Sequence, residues 1–537
     1  MKTAFVNGNV ITIHQDHPRA EAFLVEDGIF LQVGSRAEVL AAAGDAQVVD
    51  LEGRTVLPGF NDSHLHLLNF AYSRTKIDLY GTSSIAQIQE RSRQWLAQRD
   101  LAPGTWVSGA GWNHYAFQEG RMLDRTDLDQ ITTQYPMIFT RVCEHTVVVN
   151  SKALELIGID DSTPDPEGGA IGRDAGGRAN GVLMETARYL AYSKVPDKSV
   201  TEIKAMLQDA IDYVSKLGIT SVQTDDFETF SSKNWRGVLQ AYQELEREGK
   251  LKVRVYEQCL LPQIHRLKEF LAAGYHTGVG SDLFKIGPLK LLTDGSIGPR
   301  TAYLAQDYSD DPGNRGIAVF TQDELDELVC TAQANGMQVV CHGIGDGAIE
   351  MILNAYEKAQ REHPKPDARN GIIHVQITSR AILERMLKGD ILAYGEPVCA
   401  GADMHCVEDR VGPGRLKESY AYRTMNEMGL RVPLSSDCPV DSVNPIDSAY
   451  IAVNRKDLTG WPEGGWYPQE ALTIDQFLKG FTLDSAYAQF EEDKKGSIQP
   501  GKYADFVVLS GDPTTVDPKD LRTIQAQATY LGGRRVS

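Results

Sequence analysis

Two histidines stand two residues apart in "PGFNDSHLH": His64 and His66. A chain of this composition gives such a pair by chance about once in three cases, so it carries weight only with partners. Partners are present as Lys290 in "FKIGPLKLLTDGS", His342 ending "MQVVCH", His374 ending "GIIH", and Asp437 after "VPLSS". Imidazole and carboxylate donors suit zinc and its neighbours. Lys290 shares a period-two face with Phe284, Ile286, Pro288 and Leu292. A lysine facing an apolar interior is costly unless paired or neutral. Three roles fit it: a Schiff-base amine, a carbamate bridging two metals, or an edge lysine whose amine reaches water.

Elements must bring these residues together. Eight short apolar stretches read as strands, near 55–60, 219–225, 252–260, 284–292, 337–342, 371–376, 390–396 and 431–436. Helical stretches alternate with them, including Thr201–Leu217, Thr321–Asn335 and Thr473–Phe490. Eight such repeats predict an α/β fold, a (β/α)8 TIM-type barrel with its site at the C-terminal strand ends. His64, His66, Lys290, His342, His374 and Asp437 all fall at such ends. Both chain ends are β-rich, which predicts a small β-sandwich from residues 1–54 and 496–537. The barrel is then 55–66 with 201–495, and 67–200 is an insertion after strand one that hangs over the active-site face.

Composition narrows the function. The formal charge of −19 over 537 residues argues against nucleic acid and anionic membranes as partners. No apolar run is long enough for a transmembrane helix, and the N-terminus lacks a signal peptide's pattern. The seven cysteines show no CxxC spacing and read as reduced thiols of a cytoplasmic protein. The expected partner is a small-molecule substrate, with a homodimer the assembly to test.

"PGFNDSHLH", the strand-four lysine, the two strand-end histidines and the strand-eight aspartate together resemble the amidohydrolase superfamily. "GAGWNHYAF", "KLLTDGSIGPRTAYL", "CHGIGDGAIEMIL" and "GSIQPGKYADFVVLSGDP" are similar to the branch containing N-substituted formamide deformylases. The resemblance implies that His64, His66 and Asp437 bind one divalent metal, expected to be zinc, and that His342 and His374 bind a second. Lys290, carboxylated, would bridge them; a single-metal site is the alternative. It implies hydrolysis of a non-peptide C–N bond (amide, formamide or cyclic amide) by metal-held hydroxide, with Asp437 as the proton shuttle. His145 would contact the substrate carbonyl as a catalytic and binding residue. Trp112 is expected either as an apolar wall of the pocket or as insertion core. Arg300 and Asp294 would shape the pocket or hold loops, and Asp346 would orient its region or cap the next helix.

Three positions depart from the branch: Cys143-Glu144, Ile373 and Glu396-Pro397. Glu144 and Glu396 add negative charge near the expected pocket, so Glu396 is read as substrate-binding and a basic or amine-bearing substrate is one to test. Asp62 shares the histidines' side of its strand and is read as their support. Two competing functions stand beside the hydrolase: a lyase or aldolase using Lys290 as a Schiff base, which would leave four histidines idle, and a non-catalytic barrel scaffold.

Overall fold

The computed structural model describes residues 2–143 and 145–537. Glu144, one of the two expected acidic residues, lies outside them. The chain divides into two compact units. The first comprises residues 1–67, 207–227 and 235–537; the second comprises 68–206 and 228–234.

The first unit contains a seven-stranded parallel sheet. In chain order its strands are β1 (Phe60–Leu65), β2 (Ile219–Thr224), β3 (Arg254–Leu260), β4 (Phe284–Leu292), β5 (Val339–Gly343), β6 (Gly371–His374) and β7 (Leu392–Tyr394). Neighbours in sequence are neighbours in the sheet. Nearly every residue of these strands is buried, as expected when a parallel sheet has side chains filling both faces.

The eighth position is filled differently from the expectation. Residues 431–438 form no regular strand; one parallel bridge joins Gly395 to Leu434. Yet the segment is hydrogen-bonded on both sides. Gly395 N–H donates to Pro433 O and Ser435 N–H to Gly395 O. On the other side, Ser63 N–H donates to Leu434 O, Asp437 N–H to His64 O, and His66 N–H to Cys438 O. The barrel is closed by an irregular segment, and Asp437 is in the left-handed region at φ 54°.

The first barrel strand begins later than expected. Thr55–Pro58 pairs with Asn9–Ile11 and Phe506–Leu509, in a six-stranded sheet made from both chain ends. Gly59 separates it from β1, and a Cβ there would lie 2.1 Å from Thr220 Oγ1. A second, four-stranded sheet contains Lys2–Val6, Ala22–Glu26, Ile29–Gly34 and Gln47–Asp50. The Asn7-Gly8 turn therefore feeds two different sheets. Phe5, Phe23 and Phe30 of one sheet pack with Val56, Phe506 and Val508 of the other in one apolar cluster. Helix Thr473–Phe490 is also broken, into Ile474–Lys479, a π turn at Gly480–Asp484, and Ser485–Ala488.

The second unit has a six-stranded sheet ordered Gly169–Arg173, Ala179–Glu185, Thr146–Val149, Met137–Arg141, Val107–Trp112 and Ile77–Asp78. Its core includes Leu79, Ile88, Trp112, Leu128 and Phe139. All seven cysteines are free thiols. Among the described residues no helix is long and apolar enough to cross a membrane.

One buried ion pair ties the end sheet to the barrel. Arg254 on β3 donates from Nε to Asp505 Oδ2 (2.6 Å) and from Nη2 to Oδ1 (3.0 Å). Removing one partner of a buried pair strands the other charge, at about 3–5 kcal/mol. Asp505→Ala is expected to lower stability by that amount in urea unfolding. A loss below about 1 kcal/mol, the scale of an exposed pair, would contradict this role.

Candidate metal centre

The barrel register decides which side chains meet. Gly343 on β5 faces His374 on β6, so His342 and His374 are offset by one step. Their ring centroids lie 4.3 Å apart. His64 and His66, two apart at the end of β1, have centroids 5.0 Å apart. Lys290, on β4, is 0% exposed, and its Nζ is 3.2 Å from His64 Nε2. Asp437 Oδ1 is 3.1 Å from His66 Nε2 and 3.5 Å from His64 Nε2. All six expected ligands therefore gather at the C-terminal strand ends, in the first unit.

Three overlapping triads there have ligand atoms within 4.8 Å of one another: His64, His66 and Asp437; His64, His374 and Glu396; and Glu396, Cys399 and Asp437. His342 belongs to none of them. Its Nε2 meets Gly295 O at 3.1 Å and Asp294 Oδ1 at 3.3 Å, which leaves Nδ1 as its open donor.

The rings are held from behind. His64 Nδ1 donates to Gln258 Oε1 (2.7 Å), and Gln258 Nε2 donates in turn to Ser63 O (3.0 Å). His64 Nε2 is thereby left as a lone pair facing Lys290. His66 Nδ1 bonds to Asp225, whose other oxygen is 3.9 Å from Lys290 Nζ. His374 Nδ1 bonds to Glu396. A carboxylate or amide behind an imidazole fixes its tautomer and raises its strength as a ligand. Asp225 and Gln258 did not stand out in the sequence; Asp225 ends "ITSVQTD" and Gln258 lies inside β3, before Cys259 and Leu260.

Burial sets the protonation states. It pushes His64 and His374 well below the usual imidazole range, so both are neutral. Burial also lowers Lys290, although Asp225, Asp437 and Glu396 oppose it. Glu396 is pushed well above the carboxylate range by burial and by Asp437. Asp437 goes the other way: burial would raise it, but the hydrogen bond and charge of His66 lower it. For His66, burial is outweighed by Asp225 and Asp437, so the ring is held well above its usual value. Asp62, pushed up to about 7 by burial, accepts from Ser436 Oγ (2.6 Å) and from the Ser436 and His64 backbone. It supports the histidine strand through the backbone.

Other expected site residues are placed elsewhere. Glu396 is 0% exposed and bonded to His374, so it is a partner of the centre and not a substrate contact; raised well above the carboxylate range, it gives no support to an amine-bearing substrate. Trp112 is 0% exposed in the second unit's core and donates its indole N–H to Phe139 O (3.1 Å), so it offers no wall. Arg300 is bound through two nitrogens to Asp310 (3.0 and 2.8 Å), a loop contact. Asp294 accepts from Tyr303, Ile344 and Gly345 N–H groups, and Asp346 from Ala305 N–H. His145, in the second unit, is exposed and pairs with Glu185 at 2.9 Å.

A parallel α/β barrel with histidines, a lysine and an aspartate at its strand ends defines a metal-dependent hydrolase architecture, and the chain belongs to the amidohydrolase family, whose model matches residues 47–537. It is 31% identical to the putative amidohydrolase YtcJ of Bacillus subtilis (strain 168), over 100% of this chain and 99% of that protein. It is 29% identical to the N-substituted formamide deformylase of Arthrobacter pascens, over 98% and 97%. Among solved structures, an uncharacterized metal-dependent hydrolase from Pyrococcus horikoshii OT3 superposes with a TM-score of 0.81 at 27% identity, covering 96% of this chain and 99% of that one.

The donor set fits a divalent cation: neutral imidazole lone pairs, an ionised carboxylate and outer hydrogen bonds that aim them. The Nε2 proton of His66 must leave when a metal enters. Zinc affinity should therefore rise as pH is raised from about 6 to about 8. Asp225→Asn should weaken it about 10–100-fold. Both are read by competition against a chromogenic chelator; a flat pH profile or unchanged affinity would contradict the assignment.

Proposed function

We propose that the protein is a metal-dependent amidohydrolase that cleaves a non-peptide C–N bond. The observation that carries this reading is the convergence of His64, His66 and Asp437 ligand atoms beside Lys290, at the C-terminal end of the barrel. Bound there, a divalent cation would bring the pKa of a water towards about 7 and polarise a carbonyl.

The chain's own groups supply the rest. Asp437, kept ionised by His66, takes a proton at its carboxylate and returns it to the leaving nitrogen. Lys290, whose burial favours the neutral amine, is disposed to take up carbon dioxide as a carbamate bridging two positions. His342 and His374 are the proposed donors to the second, and zinc is the proposed metal. His145 is the proposed substrate contact from the second unit. The substrate class is an N-substituted formamide or related amide, by similarity to the deformylase. A Schiff-base role for Lys290 is disfavoured: the amine is 0% exposed, between His64 and Asp225. Composite assembly of the two end sheets as a sandwich, and a cytoplasmic location, complete the proposal.

The test is turnover of formamides, N-acyl amines, ureas and cyclic amides by metal-stripped and reloaded protein. Chelation should abolish hydrolysis, and zinc with bicarbonate should restore it. Asp437→Asn, with metal content checked, should lower kcat by about 10²–10⁴-fold. His145→Ala should change kcat/KM at unchanged metal content. Equal activity with and without metal, or no turnover of any of the four classes, would refute the reading.

A further inference from the structure

Arg455 brings a positive charge into the interior of the first unit with no acid to meet it. It follows the helix Pro445–Asn454 and is 2% exposed. Its backbone is left-handed (φ 52°), a conformation that a non-glycine residue keeps only where its surroundings impose it. Its guanidinium donates from Nε to Trp466 O (3.0 Å) and from Nη1 to Tyr420 O (3.3 Å), both neutral carbonyls. Among the described residues it forms no ion pair. Glu470 acts on it only from beyond ion-pair distance, and that carboxylate accepts from Thr424 N–H (3.0 Å) and Thr424 Oγ1–H (2.6 Å). Burial lowers the guanidinium to about 10, so it is still charged near neutral pH.

A buried charge is costly unless it is paired. Arg254 shows the usual remedy, both oxygens of Asp505 on one guanidinium. Arg455 has instead an open donor, and a second lies beside it. Arg455 Nη2 and Trp466 Nε1 are both buried without a hydrogen-bond partner among the described residues. Arg455 Cζ lies 4.8 Å from the centroid of the Trp466 ring, so the two belong to one place. Tyr420 and Tyr467 meet that ring edge to face, at 5.2 and 5.3 Å. Both open groups are donors, and the rings around them are apolar. A water could accept from both and would leave the charge unbalanced; an anion accepts from both and balances it.

We propose that Arg455 and Trp466 form a buried binding site for one monovalent anion, chloride. One guanidinium balances one negative charge. Sulfate or phosphate would bring a second charge and more acceptors than the two open donors can satisfy, against aromatic walls that favour a small, weakly hydrated ion. Tyr420, which accepts from the same guanidinium, is two residues from Tyr422, whose hydroxyl donates to Glu396 O (3.2 Å). The ion therefore steadies a segment packed behind the strand-seven end. The proposal does not depend on the metal reading.

Two measurements on the unaltered full chain test it. Anomalous diffraction from crystals soaked in sodium bromide locates the ion. The melting temperature, followed as chloride replaces gluconate at fixed ionic strength and pH, reports its binding. The expected results are a bromide peak within hydrogen-bond reach of Arg455 Nη2 and Trp466 Nε1, and a saturating rise of about 1–3 °C with chloride. The rise should be lost in Trp466→Phe, which keeps an aromatic ring and removes the N–H donor. Bromide bound only elsewhere, or a melting temperature that stays flat or falls with chloride, would overturn the proposal. A peak at Arg455 without the rise would mark an adventitious ion only and would overturn it too. So would a rise that survives in folded Trp466→Phe, because chloride would then act at another place.

Discussion

Ionisable side chains that share one buried volume cannot all carry their ordinary charges. His64, Lys290 and Glu396 are each 0–1% exposed, and Asp437 and His374 are nearly as deep. Desolvation penalises the charged form of each. The protein answers by dividing them. His64 and His374 are neutral, Glu396 is held protonated, and His66 and Asp437 keep opposite charges against each other. What results is a set of lone pairs already stripped of water, pointing inward. Such a set is expensive for a protein with no further use for it and well suited to a cation, whose charge reverses the local balance.

The contacts that aim the donors also hold the barrel together. Asp225 at the end of β2 grips His66 beyond β1. Glu396 after β7 grips His374 on β6. Asp62 on β1 grips Ser436 in the irregular eighth segment, and Asp437 N–H bonds to His64 O. Ligand orientation and barrel closure therefore rest on the same side chains. The backbone shows where this constrains it: His374 (φ 78°) and Asp437 (φ 54°) are both left-handed, a conformation that costs a non-glycine residue about 1–3 kcal/mol and persists only where surroundings enforce it.

Much of this was legible in the sequence because the parallel barrel is a repetitive object. Six of the eight expected strands appear near their expected places and the first starts at Phe60 instead of Thr55, since apolar runs between helices leave few alternatives. The residues that gather at the strand ends were legible because each is a polar residue in or just after an apolar run. The eighth strand was not, because "RVPLSS" has the composition of a strand and the bonding of a loop. Gln258 and Asp225 were hidden for another reason. A residue that supports a ligand need only be polar and near it in space, and nothing in the spacing of β2 or β3 reports the ring it will meet. Glu396 was placed on the substrate side by analogy of position, but burial puts it behind a histidine; of the two readings of Trp112, pocket wall and insertion core, the structure shows the core.

The central claim is that the His64–His66–Asp437 cluster is a metal site. Anomalous diffraction at the zinc edge, from crystals of the zinc-loaded protein, tests it most directly. The account predicts an anomalous peak about 2.0–2.2 Å from His64 Nε2, His66 Nε2 and an Asp437 carboxylate oxygen. A fully loaded crystal with its zinc bound elsewhere, and these three side chains hydrogen-bonded only to one another, would contradict it.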